Sequence, residues 1–323
     1  MRSLQRLAIL DDYQGVALRH PAWARLPWLE KTVFRDTLTD EEALAARLAP
    51  FDAILAMRER TPFPRRLIER LPRLRLLITT GERNRAIDAA ACRERGITLC
   101  GTPSFGAPTV EITWGLILCL LRGLPEQMAS LRAGRWQGLT ALGDVGRTVE
   151  GKVLGVIGLG KLGSRVARVG QAFGMRVIAW SQNLTAEAAE AVGALRVEKE
   201  RLLAEADVVT LHLVLSERTR GIIGAPELAL MKPTAVIINT SRGPLIEQQA
   251  LLAALHEGRI AGAGLDVFDQ EPLPADHPLL SAPRTVLTPH LGYVTEENYA
   301  AYFAGAVEAI EAYLAGQPIR VIG

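Results

Sequence analysis

The sequence predicts an α/β protein made of two doubly wound parallel-sheet domains. Short apolar, strand-like runs alternate with amphipathic helical stretches along the chain, the rhythm of parallel βαβ units. At 323 residues the chain is too long for one ordinary domain and suits two. A glycine-rich turn, Gly158-Leu159-Gly160-Lys161-Leu162-Gly163, opens a second α/β series in mid-chain.

In the first series the strand candidates are residues 7–10, 32–34, 53–57, 74–79 and 97–99. Helical patterns lie between them at 40–48, with Asp40 as N-cap, and at 65–70 behind Pro64. Arg65, Arg66 and Arg70 read as the solvated face of that second helix. After Pro103 come a long apolar helix (about 109–121), a second helix (about 126–133) and a Gly-rich loop, 138–151. The strands of the second series are 153–157, 177–180, 208–211, 235–239, 262–267 and 285–287, six in all, enough for a dinucleotide-binding sheet. A last helix opens at Thr295 and runs to about Leu314. With the second sheet full, it is expected to return to the first. The division expected is therefore 1–103 plus 292–323 against 104–291, with two crossings forming a hinge and a cleft for substrate.

Composition narrows the class. Hydrophobic residues make up 49%, ample for two cores. The net charge of +2 comes from interspersed charges, which gives no electrostatic case for nucleic acid. Cys92, Cys100 and Cys119 are irregularly spaced in apolar surroundings, a reducing-compartment pattern with neither a disulfide framework nor zinc spacing, so no metal is expected. The chain enters a strand at once, without a signal-peptide pattern, and its longest greasy run (115–121) is far short of the ~20 residues that span a bilayer. A cytoplasmic protein without membrane association is expected.

The glycine turn matches G-x-G-x-x-G. It follows the apolar strand VLGVI and opens a helix with apolar Leu162, Val166, Val169 and Phe173 on one face. Gly158 permits the tight turn, Gly160 lets backbone approach a pyrophosphate, and Gly163 lets helix and strand pack closely. Lys161 and Leu162 then offer first-turn amides to phosphate. An ordinary βα turn is the bland alternative, and the flanking pattern weighs against it. The next strand ends on Ser181-Gln182-Asn183, where NAD-binding sheets carry an acid on the ribose 2′-hydroxyl. No carboxylate repels a 2′-phosphate there and no arginine attracts one. NAD and NADP both stay open, with Ser181 tipping the balance toward NADP.

Three later strands end on chemically useful side chains: INTSRG on Arg242, LDVFDQEP on Glu271, and TVLTPHLG on His290. Ligands bind beyond the carboxyl ends of parallel strands, so these groups suggest proton-coupled redox chemistry on a carboxylate. Singly, each has a plain reading as an ion-pair partner, a loop carboxylate or a turn histidine. Joint placement downstream of a dinucleotide loop favours a site. His20, His256 and His277 lack such a context and read as surface residues.

The spaced set GLGKLG, INTSRGPLIE, LDVFDQEP and TPHLG resembles the D-isomer-specific 2-hydroxyacid dehydrogenase family, which includes phosphoglycerate dehydrogenases and glyoxylate/hydroxypyruvate reductases. The resemblance covers the whole second domain, and the βα rhythm of the rest agrees with it. It implies a Rossmann domain inserted in a flavodoxin-like substrate domain, and NAD(P)-dependent interconversion of a 2-oxo acid and a D-2-hydroxy acid. Carried over residue by residue, Arg242 would clamp the substrate carboxylate, His290 would be the acid/base, and Glu271 would hold its imidazole. Asp266 would face the nicotinamide carboxamide, while Thr240, His212 and Thr219 would line the cofactor groove. A homodimer is implied, with the 109–121 helix and the 138–151 loop at its twofold interface.

One segment departs from the family pattern. The loop Thr79-Thr80-Gly81-Glu82-Arg83-Asn84 carries Arg83 where relatives have the second glycine of a Gly-x-Gly. Gly81, Arg83, Arg58 and Arg60 are the candidates to meet a second acidic or polar group on the substrate. A salt bridge of Glu59 or Glu82 with a neighbouring arginine is the competing reading. Glu271 argues against the family's formate dehydrogenases, which carry Gln there, while phosphite dehydrogenases share the Arg-Glu-His set. The chain stops at Gly323 without a serine-sensing extension, so serine feedback is not expected. The alternative from another class is a nucleotide-sensing, corepressor-like binding protein without significant turnover.

Overall fold

The computed structural model describes residues 3–140, 142–143 and 145–323. Of the 138–151 loop, residues 141 and 144 therefore lie outside the described residues. The chain divides into two compact units, Met1–Phe105 with Thr295–Gly323, and Gly106–Val294.

The first unit holds β1 (Arg6–Ile9), β2 (Glu30–Val33), α1 (Glu41–Leu48), β3 (Ala53–Ala56), α2 (Arg65–Ile68), β4 (Leu76–Thr79), α3 (Ala89–Glu94) and β5 (Thr98–Gly101). All five strands are parallel, in the order β2-β1-β3-β4-β5. The three central strands are buried on both faces and so read as continuous apolar runs, not alternating ones. Asp40 caps α1 by accepting from the Ala43 amide at 2.7 Å. The second helix stops two residues before the expected Arg70. Arg65, Arg66 and Arg70 do lie outward, paired with Glu94, Glu41 and Glu42. Exposed pairs of this kind contribute little to stability, because water solvates both partners nearly as well when they are apart.

The second unit begins with α4 (Ala107–Arg122) and α5 (Leu124–Arg132). There follow β6 (Val153–Ile157), α6 (Lys161–Ala172), β7 (Arg176–Trp180), α7 (Ala186–Glu190), β8 (Leu195–Arg196), α8 (Lys199–Glu205) and β9 (Val208–Leu211). The series closes with α9 (Ala225–Leu230), β10 (Val236–Asn239), α10 (Gln248–His256), β11 (Gly262–Leu265) and β12 (Thr285–Leu287). The sheet has seven parallel strands, β12-β11-β10-β9-β6-β7-β8, not the expected six. The addition, β8, is two exposed residues, too short for any hydrophobic period to reveal.

Val110, Trp114, Leu116, Ile117, Leu120 and Leu121 of α4 are buried in this unit's own core, which accounts for the long apolar run. No single helix among the described residues is long and apolar enough to cross a membrane; α4 and α5 together are, but they bend by 63°. The last helix, α11 (Glu296–Leu314), starts on Thr295, whose hydroxyl accepts from Asn298 N, and packs within the first unit against β4 and β5.

Candidate active site

Because the seven-stranded sheet is wholly parallel, every strand delivers its carboxyl end to one edge. Gly158 follows β6, Ser181 follows β7, His212 follows β9, Arg242 lies beyond β10, Asp266 and Glu271 beyond β11, and His290 beyond β12.

The glycine turn has the shape a pyrophosphate needs. Gly158 has φ +99°, and a Cβ on it would stand 2.7 Å from the His212 backbone. A Cβ on Gly163 would stand 2.0 Å from Gly158 O, so α6 could not pack this closely on the strand with any other residue. Gly160 has nothing within 4 Å on its Cβ side. No side chain caps the start of α6 and its first turn carries no acid, which leaves amide donors and the positive end of the helix dipole toward that space. These features fit a dinucleotide's phosphates. Ser181 is half-buried, and Gln182 and Asn183 are exposed, on the turn after β7.

His290 lies in the left-handed region, with φ +54°. For a residue with a Cβ this costs of order 1–3 kcal/mol and persists only where neighbours impose it. Asp266 imposes it. One of its carboxylate oxygens accepts from Leu291 N at 2.7 Å and from the Thr288 hydroxyl at 2.6 Å, and the other accepts from Gly292 N at 2.8 Å. This carboxylate, expected to face a carboxamide, bonds the turn that carries His290. Burial pushes its carboxyl up, opposed by the Thr288 bond, the two amides and the nearby imidazole.

The imidazole itself is held by Glu271. His290 Nδ1 lies 2.5 Å from Glu271 Oε2, with side chains 16% and 20% exposed. The other carboxylate oxygen accepts from Phe268 N at 3.0 Å, which anchors the glutamate to its own loop. Tyr293, buried three residues on, sets its ring edge-to-face against the imidazole, with centroids 5.5 Å apart at 74°. Sequence reasoning missed Tyr293, because a residue in an irregular turn leaves no periodic signal.

Arg242 has its carbonyl fixed by Asn239 Nδ2 at 2.8 Å and donates from Nη1 to Ser241 O at 2.6 Å. A Cβ on the next residue, Gly243, would stand 2.1 Å from the Phe268 carbonyl carbon, so the Arg242 turn lies directly on the loop that carries Glu271. The Thr240 hydroxyl meets that of Thr113 at 2.8 Å, and the Thr219 hydroxyl bonds within its own loop, to Val214 O at 2.8 Å. His212 has Nε2 at 2.9 Å from the Thr210 hydroxyl, while Nδ1 is buried with no partner. Burial pushes this imidazole down to about 4.

The remaining candidates belong to the first unit, at the carboxyl edge of its own sheet. Arg58, after β3, has φ +50° and lays its guanidinium over Gly81, where a Cβ would stand 1.8 Å from Nη1. The Gly81 amide donates to the Thr102 hydroxyl at 2.8 Å. Arg58 Nε is 3.8 Å from Glu59, a loose ion pair, and the Arg60 guanidinium sits 4.8 Å above the Tyr13 ring. Arg83 is exposed.

Comparison with known proteins agrees with this architecture. The family model for the D-isomer specific 2-hydroxyacid dehydrogenase NAD binding domain matches residues 114–292. The chain is 32% identical to a hydroxypyruvate reductase of Blautia hydrogenotrophica, over 98% of this chain and 99% of that protein. It is 39% identical to a D-3-phosphoglycerate dehydrogenase of Methanocaldococcus jannaschii, over 87% of this chain but only 53% of that longer relative. The crystal structure of a phosphoglycerate oxidoreductase from Vibrio cholerae o395 is similar at a TM-score of 0.92 and 39% identity, covering 97% of this chain and 100% of that one. With its parallel sheets and glycine turn, the chain belongs to the D-isomer-specific 2-hydroxyacid dehydrogenase family and is a nicotinamide-nucleotide-dependent oxidoreductase.

Proposed function

We propose that this protein interconverts a small 2-oxo acid and its D-2-hydroxy acid, with His290 as proton carrier, Glu271 as its holder and Arg242 as the carboxylate clamp. The observation that supports it most is the 2.5 Å contact between His290 Nδ1 and Glu271 Oε2, on the sheet edge that also carries the glycine turn. With Nδ1 occupied, Nε2 is the nitrogen that serves the substrate.

Arg242 binds the substrate carboxylate through its planar fork, which matches two oxygens at once and fixes the adjacent carbonyl. A bound nicotinamide nucleotide supplies the hydride in reduction and accepts it in oxidation. In reduction, as the carbonyl carbon gains the hydride pair, the C=O π electrons move to oxygen and His290 Nε2 gives that oxygen its proton. In the reverse direction Nε2 takes the hydroxyl proton. The Glu271 carboxylate stabilises the imidazolium in the protonated half of the cycle, and the bond it accepts from Phe268 N holds it in place. Tyr293 shields one side of the imidazole from water.

Ser181, in place of a ribose-binding acid, supports acceptance of NADPH as well as NADH. Lys161 and Leu162, with Gly158, Gly160 and Gly163, serve the pyrophosphate, and His212, Thr219, Thr240 and Asp266 support the groove around the nucleotide. Arg83, with Arg58 or Arg60, meets a second polar group of the substrate; an Arg83→Ala variant with unchanged KM on mono- and dianionic substrates would remove that role. A second copy of the chain is the proposed partner. Exposed Met128, Leu131, Trp136, Leu139 and Val145 on and after α5 support this, since several large apolar side chains in one short stretch suit a subunit interface.

The deciding experiment is a panel of 2-oxo acids (glyoxylate, hydroxypyruvate, phenylpyruvate) assayed with both reduced nicotinamides. Turnover abolished by His290→Asn is the expected result. Nucleotide binding without turnover on any of them would favour a nucleotide-sensing binding protein instead.

A further inference from the structure

We infer that Arg196 reads the 2′-phosphate of NADPH, an assignment that rests on the nicotinamide-nucleotide reading above. The residue sits on β8, which pairs with β7 so that Ile178 lies opposite Leu195 and Ala179 opposite Arg196. One residue past Ala179, β7 ends, and the chain turns through Ser181 to Leu184, closed by Leu184 N donating to Ser181 O at 3.0 Å. In a dinucleotide sheet this turn meets the adenosine ribose, because it follows the strand next to the glycine-loop strand.

Arg196 Nε donates to Leu184 O at 3.0 Å, which ties the guanidinium to that same turn. The turn itself has no acid to repel a phosphate and no base to hold one, so a cation must come from elsewhere. The neighbouring strand supplies it. Lys199, the next basic residue, is committed to Glu227 at 2.7 Å with both side chains mostly buried.

Arg196 also pairs with Glu198, Nη1 to Oε1 at 2.9 Å, with side chains 37% and 64% exposed. A pair this exposed is weak, because water solvates both partners nearly as well when apart. A phosphate offers more charge and more acceptor oxygens to the planar fork, so it displaces the carboxylate at little cost. Nε stays on Leu184 O while the Nη groups change partner, which requires no backbone movement. The competing assignment gives the ribose to Glu198, which would accept from its hydroxyls and favour NADH.

The test is binding, not turnover. NADPH and NADH are titrated calorimetrically into the full-length protein, its Arg196→Ala, Arg196→Lys and Glu198→Gln variants. The wild type should bind NADPH at least as tightly as NADH. Arg196→Ala should weaken NADPH about tenfold and NADH less than about twofold, the loss expected for one arginine–phosphate contact. Arg196→Lys should recover part of that loss, and Glu198→Gln should tighten NADPH. Retained NADH binding shows that each variant folds. An NADPH-to-NADH ratio unchanged by Arg196→Ala overturns the assignment, and so does a selective loss of NADH binding in Glu198→Gln. Failure of the wild type to bind either nucleotide would instead sink the nicotinamide reading on which it rests.

Discussion

Lowering the pH from 7 to 5 should cost this protein about 2 kcal/mol of stability through His212 alone. The ring is half-buried, its Nδ1 has no partner, and its Nε2 meets only a threonine hydroxyl. Protonation would place an unpaired N–H and a full charge against the strand end, which is why burial lowers the group from 6.5 to about 4. The unfolded chain therefore takes the proton first. The stability that the neutral ring contributes is complete above about 6.5 and disappears as pH falls toward 4. The whole gap corresponds to roughly 3 kcal/mol, and about two thirds of it is lost by pH 5. Urea-unfolding midpoints at pH 7 and pH 5, for wild type and His212→Asn, isolate the term, because all other groups titrate alike in both. The wild type should lose about 2 kcal/mol more than the variant between the two pH values. An NMR titration of the five histidines, with His212 assigned by its absence from the variant, gives the midpoint directly. Equal pH losses, or a His212 midpoint near 6.5, would refute the argument.

Glu271→Gln keeps a bond to Phe268 N but removes the charge facing His290; kcat should fall on the order of 10²-fold while NAD(P)H affinity stays within about twofold. In Gly163→Ala the new methyl meets Gly158 O, a backbone atom that cannot swing aside. Calorimetry should show nucleotide binding weakened at least about tenfold, and melting should show a loss of about 2–4 kcal/mol. Asp266→Asn puts an NH2 where a carboxylate oxygen accepted, destabilising by about 2–4 kcal/mol at neutral pH. Because burial raises the Asp266 carboxyl, its protonated form adds stability at low pH that fades as pH rises through the raised value. The Asn variant should lack that acid-side gain, so its deficit relative to wild type, read from urea-unfolding midpoints, should be larger at pH 4 than at pH 6; an equal deficit would refute the assignment.

Much of the fold was legible because parallel strands covered on both sides are written as unbroken apolar runs, as in AILA of β3 and VIIN of β10. Helix starts at Asp40 and Thr295 were equally plain, since a short polar side chain before an amphipathic stretch has a local job. The edge strand β8 was invisible: two exposed residues carry no period, and only pairing with β7 defines them. At the candidate site, Arg242, Glu271 and His290 stand out in the sequence because each follows a recognisable strand. What Asp266 does could not. Its role depends on which way the chain turns after Pro289, and the left-handed conformation of His290 is set by bonds made 22 to 26 residues away in sequence. Tyr293 and the stacking of Arg60 on Tyr13 were hidden for the same reason, being contacts of irregular segments.

Two carboxylates act on one histidine, and their environments divide the work. Asp266 is buried and takes all its donors from the turn, two of them amides that a left-handed residue brings into parallel; it shapes the backbone, and its charge is stabilised by hydrogen bonds more than by the imidazole. Glu271 is partly open to water, spends one oxygen on its own loop and gives the other to the ring. Exchanging these roles would fail on energetic grounds. A buried carboxylate paired directly with a ring that gains and loses a proton would be left, half of each cycle, with a partner of altered charge in a low dielectric. A partly solvated glutamate meets the same change with water to absorb it. Under the proposed mechanism, the full burial of one acid and the partial solvation of the other are what would let a single histidine be held rigidly and still change charge.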